Sequence, residues 1–333
     1  MSRLGWIQVG LGPLGCAIAR QAIERGVGPL LGAFDTNRAL VGRPVHELVA
    51  GAPRDLVVQT TPEELDRAAP VRVAIVATTS KLDLALPTFQ TLLGRGIPVV
   101  STCEELAWPW LRHPVIAGEL QEYAIRGRAS IVAAGVNPGF LMDALPRALV
   151  SACRRVERVR IVRRQDAATR RAPFQAKVGA TRDAQEFAAE LSSGATGHVG
   201  LGESLHFLAH ALGSRVETWS EAGEPLLAER PLDSVLGPIE PGRVRGLRQI
   251  AEARCAGGIT LELVFQAAVG EASPEDRITV VGDPSFETVI PGGLHGDLAT
   301  SALVLNTIRP LIHSEPGLKT LGDLPFGGCD PFD

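Results

Sequence analysis

The 333-residue chain has no C-x-x-C pair, almost no lysine, no basic stripe and no long uncharged apolar run. Its five cysteines (Cys16, Cys103, Cys153, Cys255, Cys329) are dispersed. That pattern excludes a zinc ribbon or a disulfide framework and points to buried thiols in a reducing cytoplasm. No apolar stretch reaches the ~18 uncharged residues of a membrane span. Met1-Ser2-Arg3-Leu4-Gly5 leads into the first apolar segment without a charged n-region and apolar core, so no secretory signal and no membrane partner are expected. Lysine is confined to Lys81, Lys177 and Lys319 while arginine is abundant, a bias without functional weight. The formal net charge of -4 and the lack of basic residues interleaved with aromatics argue against nucleic acid as a partner. What is present is 45% apolar and 21% charged residues, enough for a sizeable core, in a length that fits two domains.

The chain is organised around its N-terminal stretch. Ile7-Gln8-Val9 reads as a short strand entering Gly10-Leu11-Gly12-Pro13-Leu14-Gly15, and Cys16 to Ile23 as a helix. A second apolar run, Leu30 to Phe34, stops at Asp35. A G-x-G-x-x-G turn between strand and helix, with an acidic residue about 20 positions on, is the fingerprint of dinucleotide binding. Gly10 permits the tight turn, Gly12 lets the backbone approach a pyrophosphate, and Gly15 lets helix and strand pack closely. The helix start, opened by Pro13, offers free N–H groups from Leu14 onward and a positive dipole end to the phosphates, which makes Pro13 and Leu14 part of the cofactor site. Asp35 accepts hydrogen bonds from an adenosine ribose and repels a 2′-phosphate, which favours NAD. Arg38 can accommodate that phosphate, which keeps NADP as the alternative.

Further along, Asp55 to Val58 reads as a brief strand and Thr61-Pro62-Glu63-Glu64 as a capped helix start. Val71 to Ala77 is a central parallel strand by its nearly continuous apolarity, and it ends in Thr78-Thr79-Ser80. Ligands of open α/β sheets lie outside the strands' carboxyl ends, so these hydroxyls are either cofactor contacts or ordinary caps of the helix Leu82 to Leu93. Ile97 to Val100 is the next strand, followed by Ser101-Thr102-Cys103-Glu104-Glu105. The two carboxylates are placed for proton transfer or merely for favouring a helix dipole. A helix over Pro114 to Arg126 and a strand over Ala129 to Ala134 lead to the turn Gly135-Val136-Asn137-Pro138-Gly139, and Met142 to Cys153 reads as helix.

Beyond this turn, Val159 and Ile161 alternate with arginines, and Ala184 to Leu191 and Gly200 to Leu212 read as helices. Residues 259–266, 277–281 and 286–290 read as an antiparallel meander. The helix starting at Asp297 runs through Ile308 and is ended by Pro310. The expected architecture is α/β: a Rossmann dinucleotide-binding domain (1–137), an α+β substrate domain with a largely antiparallel sheet (138–296), and a C-terminal helix and tail (297–333) packing back on the first domain. His206 and His210 have a spacing that can hold zinc, but the intervening Glu of a zincin is missing and no third ligand is evident, so no metal is expected.

Several stretches together resemble the 2,4-diaminopentanoate dehydrogenases and the related native amine dehydrogenases, distant relatives of dihydrodipicolinate reductase. They are Ser101 to Leu106, Gly135 to Phe140 with Met142-Asp143, Arg164-Gln165-Asp166, Arg170-Arg171 with Pro173-Phe174-Gln175, Lys177-Val178-Gly179, Gly197 to Gly200, Gly292 to Asp297, and Ala299-Thr300. The resemblance implies NAD(P)-linked oxidative deamination and its reverse, the amination of a ketone or aldehyde with ammonia, by a homodimer. It implies that Glu104 handles the amine, with Glu105 as fallback, and that Asn137, Phe140, Leu141, Phe174, Gln175 and Thr300 wall the pocket. Cys103 and Asn137, at strand ends, join the cofactor contacts. Arg163, Arg164, Arg170 and Arg171 either pair with a substrate carboxylate or are ordinary surface arginines. The His-His pair of dihydrodipicolinate reductase is missing. Two other readings stand beside this one: a reductase of a preformed cyclic imine, and a non-catalytic dinucleotide sensor.

Overall fold

The computed structural model describes residues 4–66 and 69–329; Met1-Ser2-Arg3 and the last residues of the C-terminal tail, 330–333, lie outside them. The chain forms two compact units, Met1–Phe140 with Gly296–Asp333, and Leu141–His295. The division falls after Phe140 rather than after Asn137. Val136 bridges back to Gly139, and the Phe140 ring packs edge-on against Phe326, so the whole turn belongs to the first unit.

The first unit begins with β1 (Trp6–Val9), α1 (Pro13–Glu24), β2 (Leu30–Phe34), β3 (Val58–Gln59), β4 (Val73–Val76), α2 (Leu82–Gly94), β5 (Val99–Ser101), α3 (Pro114–Gly127) and β6 (Ser130–Ala133). The second unit holds α4 (Leu145–Val150), β7 (Arg155–Asp166), α5 (Ala172–Lys177), α6 (Ala184–Ser193), α7 (Leu201–Ala211), β8 (Val216–Leu227), β9 (Val244–Cys255), β10 (Thr260–Ala268), β11 (Glu275–Asp283) and β12 (Phe286–Pro291). The chain returns to the first unit with α8 (Gly296–Ile312) and β13 (Gly317–Lys319).

The first sheet has the order β13-β6-β5-β4-β1-β2-β3, and every pair is parallel. β1, β4, β5 and β6 are buried throughout, as strands covered on both faces must be. Successive side chains enter opposite layers. Trp6 packs with Ile18, Ala19 and Ala22 of α1 and Val304, Leu305 and Ile308 of α8. Ile7 and Val9 pack with Phe89 and Leu92 of α2 and Leu120 of α3. The strand order reverses at β1, between β2 and β4, which opens a crevice at the carboxyl edge of the sheet.

Three local expectations change in this unit. The strand expected at Asp55 shrinks to Val58–Gln59, and the helix start at Thr61 is one 3-10 turn, although its capping box forms with Glu64. The C-terminal helix passes through Pro310 to Ile312. Leu311 is fully buried in the α1–α8 layer, and that burial outweighs the one hydrogen bond that Pro310 cannot donate.

The second sheet has the order β12-β11-β7-β10-β9-β8. All its pairs are antiparallel except β7–β10, which is parallel. The expected meander of β10, β11 and β12 is therefore not what forms, because β7 lies between β10 and β11 in the sheet. The helix expected over Met142 to Cys153 is a π turn, Phe140–Ala144, followed by the short α4. Among the described residues, no helix is long and apolar enough to cross a membrane.

Candidate active site

Because the first sheet is wholly parallel, the loops after β1, β4, β5 and β6 all leave at the same edge. The glycine turn, Thr78, Glu104 and Asn137 thus share that edge, although they are spread over much of the unit's sequence.

The three glycines differ in what a side chain would meet. Gly10 has φ +89, and a Cβ there would lie 2.3 Å from the Ala77 carbonyl oxygen. At Gly15 a Cβ would lie 2.0 Å from the Gly10 carbonyl oxygen, whereas at Gly12 it would meet nothing within 4 Å. Gly10 and Gly15 are therefore required by the turn itself and Gly12 is not; its bare backbone faces space that a ligand can enter. Pro13 opens α1 at a position that tolerates proline, and no side chain caps that helix nor does any acidic residue stand in its first turn. Its N–H groups and dipole end are left to an anion.

Asp35 ties this turn to β2. Its Oδ2 accepts from the Leu11 N–H at 2.7 Å and its Oδ1 from the Asn37 N–H at 2.8 Å. Each oxygen keeps a further lone pair. A cavity of about 370 Å³ is lined by Gly10, Gly12, Asp35, Thr36, Asn37, Thr78 and the rim Thr60–Glu63. Arg38 is exposed and is not part of this lining. The rim carries no signal in the sequence beyond its capping box; only the placement of β3 brings it here.

The three hydroxyl residues after β4 divide between the two readings. Thr78 lines the cavity. Thr79 Oγ1 instead accepts the Lys81 N–H at 3.1 Å, a loop contact, and the Ser80 carbonyl accepts from the Glu105 N–H at 3.2 Å and the Cys103 thiol at 3.4 Å. Cys103 is buried, and burial pushes its thiol up to about 12, so it stays protonated.

The two adjacent carboxylates also part. Glu104 opens the 3-10 turn Glu104–Ala107 beyond β5 and is half-buried. Glu105 is buried, and its carboxylate accepts from the Lys81 ammonium at 3.0 Å, the Leu82 N–H at 2.8 Å and His113 Nε2 at 2.9 Å. Burial alone would raise its pKa, but the Leu82 N–H, the Lys81 ammonium and the His113 ring outweigh it and hold the carboxyl below the usual range. Nothing local in the sequence marks Lys81 or His113 as partners of Glu105.

Asn137 is half-buried in the turn after β6, and the Val136 N–H beside it donates to Thr300 Oγ1 of α8 at 3.2 Å. Leu141 and Gln175 are fully buried in the second unit. The Gln175 amide donates to the carbonyls of Ala167 and Arg170 at 2.8 and 3.0 Å, and its Oε1 accepts the Val235 N–H at 3.3 Å. It braces its own loop rather than presenting a polar group to a ligand, because a fully buried amide must satisfy its hydrogen bonds locally. Phe174 is half-buried, with the Arg170 guanidinium 3.9 Å above its ring.

The arginines are not a wet surface row. Arg163 is 1% exposed and pairs with Asp276 at 2.9 Å across the β7–β11 register. Burial lowers its pKa to about 10 against the opposing pull of Asp276, so it remains a cation at neutral pH. Leu294 joins both: its N–H donates to Asp276 Oδ2 and its carbonyl accepts from Arg163 and Gln165. Arg164 is paired with Glu275, and the buried Arg170 donates to Gln165 Oε1 at 3.0 Å.

His206 turns Nδ1 onto the Gly202 carbonyl at 2.8 Å and sets its ring edge-on to Trp219. Among the described residues, no three His, Cys, Asp or Glu side chains are grouped to hold a metal. All five cysteines are free, and Cys329 is exposed rather than buried.

An open parallel sheet with this turn, carboxylate and cavity at its carboxyl edge defines a nicotinamide dinucleotide-dependent dehydrogenase. Residues 140–329, more than half of the chain, match the family of the 2,4-diaminopentanoate dehydrogenase C-terminal domain, and the chain belongs to that family. It is 25% identical to the 2,4-diaminopentanoate dehydrogenase of Acetoanaerobium sticklandii, over 98% of this chain and 94% of that one. Its fold matches an amine dehydrogenase from Mycobacterium smegmatis with a TM-score of 0.88 at 22% identity, covering 99% of this chain and 98% of that one. It also matches a probable dehydrogenase from Thermotoga maritima with a TM-score of 0.61 at 14% identity, over 96% and 92% of the two chains.

Proposed function

We propose that the chain catalyses the NAD-dependent oxidative deamination of a small amine or diamino acid and, in reverse, the reductive amination of a ketone or aldehyde with ammonia. The observation that carries this reading is the placement of Glu104, half-buried in the turn after β5 at the carboxyl edge shared by the glycine turn. The dinucleotide, held at the glycine turn, supplies the hydride acceptor. Glu104 takes the proton from the substrate ammonium and releases it to solvent, so that as a carboxylate it stabilises the cation that develops at nitrogen; it then accepts a proton from the water that adds to the iminium carbon and passes it to the nitrogen that leaves as ammonia. In the other direction it orients ammonia and protonates the departing hydroxyl. A panel of ketones and aldehydes with NADH separates the candidates. Consumption that requires ammonia is expected; turnover of cyclic imines alone, with none of the ketone–ammonia pairs accepted, overturns the proposal.

For the cofactor, Asp35 lines the cavity and Arg38 does not. A carboxylate there opposes a 2′-phosphate, by about 4 kcal/mol for charges ~4 Å apart at an effective dielectric of ~20. NAD should exceed NADP in kcat/KM. Asp35→Asn, which keeps an oxygen for one of the two N–H donors, should narrow that ratio about tenfold or more, a loss of roughly 1.4 kcal/mol. A wild-type preference for NADP would show that Arg38 outweighs Asp35.

A further inference from the structure

Glu105 joins three segments that are distant in the chain. Its carboxylate caps the N-terminus of α2, whose own N-cap residue, Lys81, makes no side-chain cap. It also holds the Lys81 side chain and His113, the residue just before α3. A carboxylate only accepts, so His113 Nε2 carries the proton in this contact. The backbone beside it is pinned as well. The Glu105 N–H and the Cys103 thiol both reach the Ser80 carbonyl, the Cys103 N–H donates to Ser101 Oγ at 3.1 Å, and Ser101 Oγ in turn donates to the Val76 carbonyl at 3.1 Å. The 3-10 turn that starts at Glu104 is therefore fixed by its second residue to the β4–α2 loop and the start of α2, while Ser101 ties the strand before it to the end of β4.

We infer that Glu105 is a positioning residue for Glu104: its three-way clamp sets the turn, and with it the backbone that aims the Glu104 side chain. This rests on Glu104 being the proton-transfer group. A helix cap alone would have been served by a side chain at Lys81's own position. Supplying it instead from the residue after Glu104 couples the helix, the β4 loop and the turn into one rigid piece. Misplacement of a reacting group by about 1 Å costs on the order of 100-fold.

The test is a double-mutant cycle. Glu105→Gln keeps an oxygen for the Leu82 N–H but loses the charge that gathers Lys81 and His113. It should lower kcat roughly 10- to 100-fold while KM for NAD changes less than about threefold, since the glycine turn is untouched. In a Glu104→Gln background the same substitution should cost less than about threefold more, because its effect runs through Glu104. His113→Ala removes one arm and leaves the helix cap; it should give a smaller kcat loss with the same split, and it keeps the test open should Glu105→Gln fail to fold. Additive losses in the cycle, or losses in KM for NAD equal to those in kcat, overturn the positioning role. A Glu104→Gln enzyme with wild-type turnover would instead overturn the reading of Glu104 itself.

Discussion

Glu104→Gln should reduce turnover in both directions by ~100- to 10,000-fold, the usual cost of removing a general acid–base group. The amide has the carboxylate's shape but accepts no proton, so packing of the turn after β5 should survive. NAD affinity should barely change, because the turn at Gly10, Gly12 and Gly15 and the Asp35 anchor lie in other loops. Stopped-flow measurement of NADH formation, alongside a fluorescence titration of NADH binding, separates the two effects. Near wild-type turnover in the variant would remove Glu104 from the chemistry. The companion substitution Glu105→Gln should differ in kind, since Glu105 is buried and three donors already occupy its carboxylate.

The largest loss of stability is expected at the buried pair of the second unit. Arg163 and Asp276 are each about fully buried, at 1% and 2% exposure, and face one another directly across β7 and β11. Asp276→Asn leaves the guanidinium buried without its counter-charge, which typically costs ~3–5 kcal/mol. For a unit of this size that corresponds to a fall of roughly 6–20 °C in its thermal midpoint. The exposed pair Arg154–Asp283, with side chains 85% and 51% exposed, is the internal control. Asp283→Asn there should cost under about 1 kcal/mol, because both charges stay hydrated. Calorimetry of the two variants checks the contrast; equal midpoints would mean that the buried guanidinium finds another partner once Asp276 is neutral.

The sequence by itself determined the parts of the protein whose physics is local. The glycine turn, the strand before it, the helix after it and Asp35 lie within one βαβ segment, so spacing and residue type specify the turn without reference to distant chain. The same holds for the capping box at Thr61 and Glu64 and for the buried strands β4, β5 and β6, whose mostly apolar run is the mark of a two-sided cover. β8 was not legible because Gly223 and Pro225 break its pattern; a sheet edge tolerates both, and only the strand order makes β8 an edge. Pro310 looked like a stop until the burial of Leu311 carried α8 past it.

The tertiary structure alone decided between neighbours that are chemically identical on paper. Glu104 and Glu105 are the same residue type side by side. What ties Glu105 into the fold is a lysine 24 positions earlier and a histidine eight positions later, brought together by α2 and α3. Thr78 and Thr79 part in the same way, one lining the cavity and the other turned onto the Lys81 N–H. Arg163 and Arg164 sit on opposite faces of β7, and the strand's period-2 alternation sends one into the interior against Asp276 and the other toward Glu275. Whether a titratable side chain braces the fold or is available for chemistry depends on which donors and acceptors meet it in space, and that list is written by the packing of elements far apart in the chain.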